Sequence, residues 1–200
     1  MDHCHSAEAE RGERVLSVDR AIAKKYERTV SPVVIDMAGF TESSINHGIM
    51  HYLSMIEKIR STLVPLVEQG GGTVVKLEAD NLFAHFDSVA PVLAATQRMH
   101  QRLYALNLTT EDEFEIGIAA AIGFGPTLLL GNDMWGTEFN ITCKLGEDTA
   151  QRGETYLTQA ALQDIGEKDL AAHGQIQERT ILLGGTPQSV YLLKFAPPSS

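Results

Sequence analysis

Thr73-Val74-Val75-Lys76-Leu77-Glu78-Ala79-Asp80-Asn81-Leu82-Phe83-Ala84-His85-Phe86 reads as two short strands folded about a polar tip. The first strand alternates, with Val75 and Leu77 on one face and Val74, Lys76 and Glu78 on the other. Asp80-Asn81 supplies the turn, and Leu82 to Phe86 returns antiparallel. Upstream, Ile45, Ile49, Leu53, Ile56, Ile59, Leu63 and Leu66 keep a helical period until Gly70-Gly71-Gly72, with Pro65 expected to kink or divide the helix. Before that, Val33-Val34-Ile35 is a β-branched run ending at Asp36, the pattern of a fully buried strand, and Thr41 is expected to open the helix.

Downstream, Ser88 is predicted to cap a helix that tolerates Pro91 in its first turn and runs along Val92, Met99 and Leu103 to about Asn107. Strands follow from Phe114 to about Ile122 and from Thr127 to Leu130, then a helix from about Thr137 to Leu145. Thr155 to Leu157, a helix from Gln159 to Ile165 and a hairpin from Thr180–Leu183 to Val190–Leu193 complete the chain. This order predicts an α+β domain, a ferredoxin-like split βαβ with a mostly antiparallel sheet and helices covering one face.

The 200 residues, 44% hydrophobic and 21% charged, suit one domain with a real core. Residues 1–29 read as a tail and short amphipathic helix, 30–195 as the domain and 196–200 as a tail. A formal charge of -10 repels phosphate backbones and anionic lipid, so neither nucleic acid nor a membrane is expected as partner. Cys4 and Cys143 do not make a disulfide scaffold, which points to a reducing compartment. The opening residues carry no apolar run of the secretory kind, and Ile116 to Gly131 is too short to span a bilayer. A cytoplasmic location is expected.

Two aspartates stand where apolar strands end, Asp36 after Val33-Val34-Ile35 and Asp80 at the hairpin tip. If the strands are neighbours, the carboxylates converge and offer hard oxygen ligands to Mg²⁺ or Mn²⁺; the plain alternative is a pair of turn residues in water. Gly39, Phe40 and Thr41 form a loop entering a helix N-terminus, a place that attracts anions. Asn140 and Lys144 share one helix face at i and i+4, otherwise explained as a solvated face. His47 and His51 have zinc-ligand spacing but no evident third ligand.

Asp36 to Thr41, Lys76-Leu77-Glu78-Ala79-Asp80 and Asp133 to Lys144, in this order, together resemble the class III adenylate/guanylate cyclase catalytic domain over about Val30 to Tyr191. The resemblance implies a homodimer or heterodimer, the homodimer being expected here, with sites shared between chains, cyclising a nucleoside triphosphate to the 3′,5′-cyclic monophosphate and pyrophosphate. It implies two Mg²⁺ or Mn²⁺ ions per site on Asp36 and Asp80 with help from the Met37 carbonyl. Lys76 and Asp133 match the pair that reads adenine, so ATP is favoured over GTP; Asn140 matches the residue that positions the ribose. Lys144 stands where most active members carry Arg, and Leu183-Gly184-Gly185-Thr186-Pro187 offers no second phosphate-binding cation. Lys144 looks like the mark of a bacterial subgroup. The alternative is a catalytically weak or inactive nucleotide-binding module of the same fold.

Overall fold

The computed structural model describes residues 17–38, 46–111 and 114–196. Residues 17–26 are helical and lead directly into β1 (Glu27–Ala38), which starts earlier than the apolar run suggests. Its first residues, Glu27 to Val30, pair with β5 (Gly125–Leu130), and Ser31 donates its hydroxyl to the Gly123 carbonyl at 2.7 Å. The long α1 (Ile49–Gln69) runs undivided through Pro65, then β2 (Thr73–Glu78) and β3 (Asn81–Phe86) form the hairpin. After α2 (Val89–Asn107) come β4 (Gly117–Ile122), β5, β6 (Asp133–Trp135) and α3 (Thr137–Asp148). β7 (Thr155–Thr158), α4 (Gln159–Ile165), α5 (Glu167–Ala171), β8 (Gly174–Leu183) and β9 (Thr186–Phe195) follow.

The sheet order is β2-β3-β1-β4-β7-β9-β8, with β5 and β6 branching from β1. Among the described residues only the β4–β7 pair is parallel, so the fold is α+β with a mostly antiparallel sheet. The split βαβ is its first half: β1-α1-β2-β3-α2-β4 with order β2-β3-β1-β4.

Helices cover both faces, not one. α1 and α2 bury Leu63, Leu93 and Met99 against Ile35, Phe86 and Ile122. On the other face α3 packs Leu145 with Ala121 and Tyr156, and Phe139 with Val34, Phe83 and Met134. β4 explains this double burial: Ile118, Ala120 and Ile122 join the α1/α2 core, while Ala121 lies under α3. Gly146 completes the close approach, since a Cβ there would lie 3.1 Å from both the Val34 carbonyl oxygen and its Cγ1. Glu138 anchors the start of α3, accepting from the Phe124 N–H at 3.0 Å and from the Thr158 hydroxyl at 2.5 Å.

The expected Ser88 cap is not made by Ser88. Asp164 at the end of α4 accepts from the Val89 N–H at 2.9 Å and satisfies that free donor. Past the middle of α2, His100 Nε2 lies 3.0 Å from the Thr155 hydroxyl, with the Phe195 ring 5.3 Å from the imidazole. Burial holds this imidazole neutral and pushes its pKa down to about 4 from the ordinary histidine value of 6.5. The unfolded chain therefore takes up a proton that the native chain refuses between those two values. Stability should fall by about 3 kcal/mol as pH drops through that window. Urea unfolding at pH 7 and pH 4.5 measures it, and His100→Gln should flatten that part of the profile.

Candidate active site

β1 brings Asp36 between β3 and β4, paired in register with Asn81 on one side and Ala119 on the other. Asp80 precedes Asn81 in the β2–β3 turn, so the turn returns its carboxylate to the Asp36 end of the sheet. Burial first, then the Asp80 charge and the Glu147 charge on α3, push the Asp36 carboxyl up to about 7. Burial also raises Asp80 above the ordinary carboxylate range. Next to both, the Asn81 side-chain carbonyl is buried and has no hydrogen-bond partner. Met37 turns its side chain into the α1/α2 core, leaving its main chain beside Asp36.

The turn itself is Ala79-Asp80, one residue earlier than the expected Asp80-Asn81, and Ala79 takes φ +48°. That left-handed conformation costs an L-residue about 1–2 kcal/mol. Arg60 of α1 steadies it, its guanidinium donating to the Ala79 carbonyl at 3.2 Å. Ala79→Gly should raise stability by about 1 kcal/mol, read by urea unfolding, because the strain is removed while the turn is kept.

A β-bulge in β2 sets the second cluster. Register shifts between Val74 and Lys76, so Val74 opposes Ala84 and packs toward α1/α2, whereas Lys76 opposes Phe83 on the α3 face. The simple alternation expected from sequence put Val74 and Lys76 together; the extra residue at Val75 separates them. Lys76 Nζ lies 3.0 Å from Glu78 Oε2, 3.4 Å from Asp133 Oδ1, and 5.0 Å from the Phe83 ring centre. The hydrogen bond to Glu78 is the largest influence holding its pKa above the ordinary lysine value. Asp133, the first residue of β6, keeps its own geometry by accepting from the Met134 N–H at 2.9 Å.

Asn140 and Lys144 lie one turn apart on the exposed side of α3, away from Phe139, Thr142, Leu145 and Gly146 that meet the sheet. Lys144 forms an ion pair with Asp148 one turn further on. Gly39, Phe40 and Thr41 lie outside the described residues. The structure thus brings Asp36 to Asp80 and Lys76 to Asp133, and leaves Asn140 and Lys144 facing outward. The sequence alone assigned no site role to Glu78, Asn81 or Glu147. Spacing held one signal, since residues two apart in a strand share a face, which puts Glu78 beside Lys76.

Asp36 and Asp80 fit a hard divalent cation: two neighbouring half-buried carboxylates raise the need for positive charge, and oxygen donors suit Mg²⁺ or Mn²⁺. Among the described residues, no group of three His, Cys, Asp or Glu side chains could hold an ion. The remaining ligands would come from the main chain, water or a substrate's phosphates.

The chain matches no protein-family model and no curated protein. Solved structures do share its fold. An adenylate/guanylate cyclase/hydrolase from Silicibacter pomeroyi aligns with TM-score 0.71 and 19% identity over 86% of this chain and 98% of that one. The guanylate cyclase domain of RhGC from Catenaria anguillulae, solved with GTP, gives 0.66 and 16% over 84% and 98%. The adenylyl cyclase CyaB from P. aeruginosa gives 0.63 and 20% over 84% and 95%. The fold is that of class III adenylate/guanylate cyclase catalytic domains. Among the described residues no helix is long and apolar enough to cross a membrane.

Proposed function

We propose that the protein is a nucleotidyl cyclase that converts a nucleoside triphosphate, ATP foremost, to its 3′,5′-cyclic monophosphate and pyrophosphate. The carrying observation is the placement, on one sheet of a cyclase fold, of the Asp36–Asp80 pair and the Lys76–Asp133 pair. Asp36, the Met37 carbonyl and Asp80 would hold two Mg²⁺ or Mn²⁺ ions. When bound, such ions polarise the ribose 3′-hydroxyl and neutralise the triphosphate. Lys76 donates to adenine N1 and Asp133 accepts from the N6 amino group. Asn140 orients the ribose, Lys144 places positive charge near the α-phosphate, and Gly39, Phe40 and Thr41 would supply main-chain N–H groups to the phosphates. The 3′-hydroxyl gives its proton to water as its oxygen forms a bond to the α-phosphorus, the bond to the bridging oxygen breaks, and pyrophosphate departs in line.

Because Asn140 and Lys144 face outward, they act with Lys76 and Asp133 of their own chain on a nucleotide whose triphosphate lies at Asp36 and Asp80 of a second copy, and the working unit is a homodimer. A second reading, a nucleotide-binding module with lost turnover, is favoured by the Lys144–Asp148 pairing and by the lack of a cation from Leu183 to Pro187.

Incubation of the purified chain with ATP, GTP, CTP or UTP and Mn²⁺, followed by separation of cyclic products, decides between them. Cyclic AMP is the expected main product. Metal-dependent ATP binding with no cyclic product from any nucleotide establishes the second reading instead. Mixing inactive Asp36→Ala and Lys76→Ala chains should restore activity through sites of mixed parentage; no recovery would exclude the shared site.

A further inference from the structure

Lys76 does not stand as half of an isolated pair. Its ammonium is flanked by two carboxylates, Glu78 at 3.0 Å and Asp133 at 3.4 Å, with the Phe83 ring on a third side. The bulge at Val75 creates this row by placing Lys76 on the α3 face, and Glu78, two residues on, shares that face. One donor thus stands against two acceptors.

That arrangement has a chemical consequence for a purine's Watson–Crick edge. Adenine shows an N6 amino donor beside an N1 acceptor, which Asp133 and Lys76 complement. Guanine shows an O6 acceptor beside N1–H and N2–H donors, which Lys76 and a bidentate carboxylate complement. With Lys76 and Asp133 alone, one purine matches at a time in one orientation. Glu78 supplies a second acceptor at the same ammonium, and its side chain is 66% exposed and within reach of a base bound there.

We propose that Glu78 is a base-reading residue, and that the row Asp133–Lys76–Glu78 lets the site accept guanine as well as adenine nucleotides. This rests on the assignment of Lys76 and Asp133 to the base under the proposed function. Asp133–Lys76 holds adenine, and Lys76–Glu78 holds guanine. Removing an acceptor from two donors that have left water costs affinity for the base that needs it and spares the other orientation.

Binding without turnover tests this. Dissociation constants of 2′,3′-dideoxy-ATP and 2′,3′-dideoxy-GTP, which lack the attacking hydroxyl, are measured by calorimetry with Mn²⁺ for the wild type, Glu78→Gln and Asp133→Ala. The wild type should bind both analogues within about tenfold of each other. Glu78→Gln, whose amide opposes one of guanine's donors with a donor of its own, should shift the guanine-to-adenine affinity ratio down by about tenfold or more. Asp133→Ala should move the ratio the other way. Thermal unfolding of each variant monitors the fold. Binding of the adenine analogue alone, or an equal loss of both analogues in Glu78→Gln, overturns the proposal and leaves the cyclase reading standing. Failure of both analogues to bind the wild type overturns both.

Discussion

Asp80→Asn is expected to lower cyclic-nucleotide formation by about a thousandfold or more, and Asp36→Asn to do the same. Each change removes a carboxylate from a site that would hold divalent cations, and metal polarisation of a phosphoryl reaction supplies several kcal/mol of barrier reduction. Stability should move the opposite way. In the metal-free chain the two half-buried carboxylates disfavour each other's charge, with Asp36 pushed up to about 7 by burial, Asp80 and Glu147. An asparagine at position 36 relieves that repulsion, so the melting temperature should rise by a few degrees while product is lost. Product assay and thermal unfolding of the same preparation check both signs. Retained turnover, or an inactive variant that is also strongly destabilised, would contradict the role given to this pair.

Lys144 carries the second large effect. Its side chain is 64% exposed and paired with Asp148, a surface ion pair that is broken at little cost. Lys144→Ala should lower turnover about a hundredfold with little change in ATP affinity, as loss of one transition-state donor does. Lys144→Arg should raise turnover, because a planar guanidinium engages two phosphate oxygens where an ammonium acts as a point charge. Steady-state kinetics separates the two constants. An unchanged rate in Lys144→Ala would place this residue outside the chemistry.

Much of this arrangement is legible along the chain, for local reasons. Val33-Val34-Ile35 leading into Asp36, and a hairpin turning at Asp80, are strand and turn signals set by neighbouring residues; β1 runs on past the expected end at Asp36 to Ala38, and its antiparallel pairing with β3 sets Asp36 opposite Asn81. What escapes is set by residues far apart or by one extra residue. The bulge at Val75 reverses the parity of β2, which no alternation rule foresees, and it decides the company of Lys76. The N-terminal N–H of α2 is satisfied by Asp164, 75 positions away, and not by the adjacent Ser88. α3 lies on the opposite face from the other helices because β4 offers alanine there and Gly146 can touch Val34, a fit visible only in three dimensions. Glu78 looks solvated in isolation and becomes informative once its distance to Lys76 is known.

The outward aspect of Asn140 and Lys144 bears on how the protein behaves in a cell. Under the shared-site reading, two molecules must meet before either can turn over, so at scarce supply the output scales with the square of abundance. Halving expression would then cut the signal about fourfold, and any tether or scaffold that crowds two chains together would act as an on-switch without touching the chemistry.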